Sequence, residues 1–155
     1  LCNLDSKTVE KYVILLEQSY VIFRLNSFSR NLRNELKTSK KIYFYDNGIR
    51  NALIANFNQI EGRVDRGALW ENFLISERKK FLEYNRLWGN SWFWRTKEQK
   101  EIDLVEERDG KITGYEFKWN PDQKVKIPRL FLDSYENSDF QVIHRDNCDS
   151  FLLEY

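Results

Sequence analysis

The stretch from Glu101 to Lys118 constrains this chain most. Two alternating runs flank Asp109-Gly110, the strongest short signal for a two-residue hairpin turn. With those residues as the turn, Arg108 faces Lys111, Leu104 faces Tyr115 and Ile102 faces Phe117. The last two pairs form an apolar face for a core. On the opposite face Asp103 sits across from Glu116, and Glu101 across from Lys118. Directly opposed residues have Cβ atoms about 4.5–5.5 Å apart. The pattern therefore brings carboxylates and a lysine together. Two carboxylates that close repel each other, so a cation, a proton or the lysine must offset them. A hard divalent ion with oxygen ligands is one candidate. A slip of one residue would flip one strand and separate the acids. Ordinary ion pairing on a solvated strand face gives the same pattern, so both readings remain open on the hairpin alone.

The remaining chain reads as α+β. Asp5 and Ser6 are N-cap residues, with Glu10 placed for a capping contact. Val9, Tyr12, Val13 and Leu16 follow at helical spacing and read as a core stripe. Strands are expected at Val21 to Leu25 and Lys41 to Tyr45, and a short helix from Ile49 to Phe57. A helix followed by a hairpin is the back half of a winged helix, whose helix can enter the major groove. Glu61-Gly62 is the expected boundary. Beyond it, a long helix runs from about Arg63 to Tyr84. Strands follow at Trp92 to Arg95, Glu101 to Glu107 and Lys111 to Trp119. Arg129 to Tyr135 reads as a helix, and Phe140 to Ile143 and Phe151 to Leu153 as short strands. The expected domains are 1–60, a partial winged helix with a connecting helix, and 61–155, a mixed sheet with flanking helices.

Composition removes several classes. Lys and Arg number 25 against 24 Asp and Glu, so any attraction to nucleic acid must come from a local patch. No run approaches the ~20 apolar residues of a membrane span. Two cysteines cannot build a disulfide framework or a Cys-rich zinc site. A cytoplasmic setting is the expectation. Methionine is absent, even at position 1, and the chain is expected to be a fragment of a longer protein.

Asp103, followed by Glu116-Phe117-Lys118, resembles the PD-(D/E)xK nuclease signature. Glu71, in Leu69-Trp70-Glu71-Asn72-Phe73, stands where that superfamily often adds a helix acid. The resemblance extends through Thr8 to Tyr12, Phe23-Arg24-Leu25, Ser29-Arg30-Asn31, Lys41 to Gly48, Gly67 to Asn72, Trp94-Arg95-Thr96 and Glu101 to Val105. This set resembles a C-terminal domain of unknown function carried by many prokaryotic AAA+ ATPases. The resemblance implies a restriction-endonuclease-like sheet. It also implies a preceding ATPase module. ATP would bind there, since no G-x-x-x-x-G-K-[ST] occurs here. It further implies Mg²⁺ on Asp103 and Glu116, with the Phe117 carbonyl as a further oxygen. Glu71 would hold a second metal or a water. The metal would polarise a phosphate and lower the pKa of a water, and Lys118 would orient that water or neutralise charge. Ile102-Asp103 replaces the Pro-Asp of the superfamily name. The alternative is a nuclease fold that keeps its acids and serves as a recognition module.

Candidate DNA contacts are Lys7 and Lys11 on the first helix, and Arg30, Arg33 and Lys40 around the wing. Arg24, Lys37 and Lys41 belong to the same basic group. Lys124 and Lys126, with Lys97, Lys100 and Arg129, flank the acidic site in sequence and are candidate phosphate contacts. Trp88, Trp92, Trp94 and Trp119 suit core packing better than base stacking. His144, the single histidine, has no nucleophile paired with it. The two function classes are a Mg²⁺-dependent DNA-binding or DNA-cleaving module and a silent domain that targets the ATPase to a protein or DNA partner.

Overall fold

The computed structural model describes residues 4–30 and 39–154. Its elements are α1 (Ser6–Gln18), β1 (Ile22–Asn26), β2 (Lys40–Phe44), α2 (Asn47–Leu53), α3 (Arg66–Tyr84), β3 (Asn90–Arg95), β4 (Glu101–Arg108), β5 (Lys111–Phe117), α4 (Arg129–Ser134), β6 (Ser138–Ile143) and α5 (Cys148–Leu153). The chain is α+β. β1 and β2 pair antiparallel as a separate two-stranded sheet. The main sheet runs β3-β4-β5-β6, antiparallel except for the parallel β5–β6 pair. Among the described residues no helix is long and apolar enough to cross a membrane.

The hairpin turn forms as expected. Asp109 and Gly110 both have positive φ, 49° and 76°, the requirement of a two-residue turn that matches strand twist. Arg108 pairs with Lys111 and Leu104 with Tyr115. The ladder then ends, and β4 and β5 diverge beyond this pair.

Each face of the main sheet has its own core. On one face Leu104, Tyr115, Phe117 and Ile143 pack with Trp70, Leu74 and Ile75 of α3, Phe151 of α5, and Phe23, Leu25 and Tyr43 of the small sheet. On the other, Trp94, Ile102, Val105 and Ile112 pack with Phe28 and with Phe131 and Tyr135 around α4. Each fully buried side chain of this size contributes roughly 1.5–3 kcal/mol. The small sheet joins the large one where Ser27 bridges Phe93 and the Phe28 amide donates to the Phe93 carbonyl at 2.6 Å.

Ile102 departs from the expected apolar face. The hairpin pattern puts Ile102 and Leu104 on one side, but they lie in different cores. The cause is a β-bulge. Trp92 pairs with Val105 and Trp94 with Ile102, so Asp103 and Leu104 together oppose Phe93. An extra residue re-aims the side chains on either side of it.

Other expectations change too. Phe151 to Leu153 is helical, because Phe151 docks on Tyr115 and Phe117 with its ring tilted by 59° to each. Arg78 Nη1 also donates to the carbonyls of Phe151 (2.6 Å) and Glu154 (3.1 Å), closing the helix C-terminus. α2 starts earlier and ends earlier than expected, with the Asp46 side chain capping the Gly48 amide. In α1, Asp5 accepts from the Thr8 amide at 2.9 Å, while Glu10 turns away to Arg24. The α1 stripe is not core: no α1 residue is buried, and Val9, Tyr12 and Leu16 are exposed. Trp88 is 87% exposed on a loop, whereas Trp94 is fully buried.

Candidate functional site

Asp103 is the centre of the site. At the bulge its side chain reaches the place where β4 and β5 separate. Oδ2 accepts from the Phe117 amide at 2.9 Å. That amide would otherwise lose its partner at the end of the ladder. The carboxyl is 13% exposed. Burial pushes its pKa up to about 7, and the charges of Glu71 and Glu116 push in the same direction. The Phe117 amide and Lys41 oppose this, less strongly. Both other expected acids, Glu71 and Glu116, therefore act on this buried carboxyl.

Glu71 arrives from the first half of α3, and a neighbour sets its position. Asn72 is buried, accepts from the Phe44 amide at 2.8 Å, and donates to the Phe44 carbonyl and to Asn47 Oδ1, both at 2.9 Å. These bonds fasten the end of β2 to α3. Glu71 consequently meets two β2 side chains at one oxygen. Oε1 accepts from the Tyr43 hydroxyl at 2.6 Å and the Lys41 ammonium at 3.0 Å. Burial raises the Tyr43 pKa far above its ordinary value, with Glu71 adding to it.

Lys41 lies in the middle of the acids. Its Nζ contacts Glu71 and Glu101 and lies 3.7 Å from Asp103 Oδ1. It also lies 5.5 Å from the Phe93 ring centre, over the ring opposite the bulge. Burial lowers its pKa, but the three carboxylates outweigh burial and the net shift is upward. Lys41 stands here as an internal counter-ion, not as a free phosphate contact on a wing.

Glu116 and Lys118 form their own pair at 2.6 Å. The expected Glu101–Lys118 pairing does not form, since the ladder has already ended. Glu101 instead pairs with Arg95 and Lys41.

The donor set is chemically right for a hard cation, because every ligand atom is a carboxylate oxygen. Its arrangement does not fit one. Glu71 Oε1 is shared by Lys41 and Tyr43, Asp103 Oδ2 by the Phe117 amide, and Glu116 Oε1 by Lys118. Among the described residues no three His, Cys, Asp or Glu side chains converge as metal ligands.

Beside Glu116 and Lys118 lies a cavity of about 500 Å³, between the main sheet and the segment from Gln123 to Leu130. Lys100, Lys118, Lys124, Lys126 and Arg129 line it, against Glu101 and Glu116. Five cations and two acids give it positive character, and Lys124 and Lys126 are among the lining residues. The N-terminal candidates are dispersed. Lys7, Lys11 and Lys40 are exposed. Arg30 pairs with Glu107. Arg24 is held by Glu10 and Glu17, which raise its pKa and remove it from the phosphate contacts. Arg33 and Lys37 lie outside the described residues.

Three contributors were missed in the sequence: Lys41 as counter-ion, Tyr43 and Asn72. The alternation of Lys41 and Tyr43 in β2, continued by Tyr45 just after it, signals one inward face. Nothing in the sequence says that this face meets the hairpin acids.

Two uncharacterised proteins, from Mycobacterium bovis and Mycobacterium tuberculosis, are each 29% identical over 113 residues. The match covers 72% of this chain and 25% of each relative, so it spans about a quarter of their length. No solved structure matches. Residues 1–60 match a domain of unknown function, DUF8612. Residues 66–148, more than half of the chain and including Glu71, Asp103, Glu116 and Lys118, match a second profile, and the chain belongs to that family: the domain of unknown function DUF4143.

Proposed function

We propose that this chain is the C-terminal module of an AAA+ ATPase, and that its nuclease-like sheet binds DNA. The ATPase and nuclease connections rest on the sequence resemblance. The DNA reading is carried by the basic cavity: Lys100, Lys118, Lys124, Lys126 and Arg129 surround the Glu116–Lys118 pair. Neutralising several phosphates releases counter-ions, which supplies sequence-independent affinity that falls with salt. ATP would be bound by a segment outside this chain.

The centre as arranged supports binding rather than cleavage. Lys41 engages the oxygens that a metal would need. A second reading, Mg²⁺-dependent phosphodiester cleavage, is favoured by the action of the Glu71 and Glu116 charges on the buried Asp103 carboxyl. That reading requires Lys41 to leave.

Fluorescence anisotropy with a labelled duplex tests the binding. The wild type is expected to bind at low salt and to weaken steeply as salt rises. Lys124→Glu/Lys126→Glu should lower the affinity by tenfold or more, and the loss of two phosphate contacts should flatten the salt slope by about two. No binding at low salt would overturn the DNA reading and leave a protein partner as the target.

A further inference from the structure

The acidic cluster is occupied by a cation from its own chain. Glu71 comes from α3, Glu101 and Asp103 from β4, and Lys41 from the small sheet. One ammonium thus joins three elements. Tyr43, two residues along on the same face of β2, donates to the same Glu71 oxygen that Lys41 contacts. The hairpin therefore closes over the cluster with two side chains.

Lys41 contacts Glu71 and Glu101 and faces Asp103, and Arg95 pairs with Glu101 from the other side. Lys41 is also well suited to the place: its side chain is 18% exposed, and the Phe93 ring supports it from below.

We propose that Lys41 is a resident counter-ion that excludes divalent cations from Glu71 and Asp103. This rests on the reading of these acids as a nuclease-like centre. Lys41 couples the N-terminal part to the sheet directly, with no relay of intervening residues.

Mn²⁺ binding by calorimetry on the whole chain tests this, in the wild type, Lys41→Met, Lys41→Gln, Lys41→Arg and Lys41→Met/Asp103→Asn. Thermal melts establish that each variant is folded, and Lys41→Gln keeps a hydrogen-bond donor if Lys41→Met is not. The wild type and Lys41→Arg should bind weakly or not at all. Lys41→Met and Lys41→Gln should bind at least tenfold more tightly, and Lys41→Met/Asp103→Asn should lose that gain. Equal binding by the wild type and the Lys41 variants would overturn the exclusion by Lys41 and leave the metal-centre reading standing. Absence of binding in every variant would overturn both, and the anisotropy result would be unaffected.

Discussion

The Asp103 carboxylate accepts the Phe117 amide at 2.9 Å, where β4 and β5 stop pairing. One side chain therefore does two jobs. It caps an amide that the ladder leaves behind, and it brings a buried charge close to Glu71 and Glu116.

A pH dependence follows. Asp103 has its pKa raised by burial first, then by Glu71 and Glu116, to about 7. A raised carboxyl binds its proton more tightly in the folded state than in the unfolded one. Its contribution to stability is therefore full below the ordinary aspartate range and is lost as pH rises towards 7. Thermal melts from pH 5 to pH 8 should show the wild type losing stability, and Asp103→Asn losing less. An identical pH profile for the two proteins would refute the raised pKa. Asp103→Ala leaves the Phe117 amide unpaired and should cost about 1–3 kcal/mol at low pH.

Arg78 and Glu106 make a buried two-pronged pair, with Arg78 Nε to Oε1 at 3.1 Å and Nη2 to Oε2 at 3.0 Å. Arg78 also closes α5. Arg78→Met leaves the buried Glu106 carboxylate with the longer, 3.9 Å contact of Arg108 and should destabilise by about 3–5 kcal/mol, whereas Arg78→Met/Glu106→Leu should recover part of that loss. Urea denaturation of the three proteins measures this. A double variant less stable than Arg78→Met would refute it.

Gly114 lies in the middle of β5, where α4 presses on the sheet. A Cβ there would come within 3.2 Å of Ile102 Cγ2 and 3.4 Å of Phe131 Cε1. Gly114→Ala should cost about 1–3 kcal/mol through overpacking. Phe131→Leu in the same chain should relieve part of it. Additive losses in thermal melts would show that the two residues do not press on each other.

Asn72 fastens β2 to α3 by two hydrogen bonds to Phe44 and reaches Asn47 of α2 with a third. Asn72→Leu leaves both backbone groups of Phe44 unsatisfied there and should cost about 2–4 kcal/mol. The β2 amides should then exchange with deuterium faster than those of β5. Unchanged exchange in β2 would mean that the hairpin is held elsewhere.

The sequence carried the hairpin well. Asp109-Gly110 set the turn and the register as far as Leu104 and Tyr115, while the expected Asp103–Glu116 and Ile102–Phe117 pairs fall beyond the end of the ladder. It carried the surroundings poorly, for physical reasons. The bulge at Asp103 and Leu104 has no Gly or Pro to mark it, and it sends Ile102 into the other core. The α1 stripe has a core-like spacing, yet amphipathic periodicity cannot say whether a partner surface is present. Phe151 to Leu153 is too short for period alone to separate helix from strand. Lys41 is the clearest case. A lysine in a basic run suggests solvent or phosphate, and only the tertiary arrangement of α3 and β4 puts three carboxylates around it.

The most direct measurement of the central claim is the Lys41 ammonium itself. Nitrogen-detected NMR of the lysine Nζ groups at neutral pH, with Lys41→Arg for assignment, reports hydrogen exchange at that group. A seated Lys41 should give a slowly exchanging signal that disappears in Glu71→Gln/Asp103→Asn, while the exposed lysines exchange rapidly. A Lys41 signal that exchanges as fast as those of Lys7 and Lys124 would contradict the account, and the acids would then be free to take another cation.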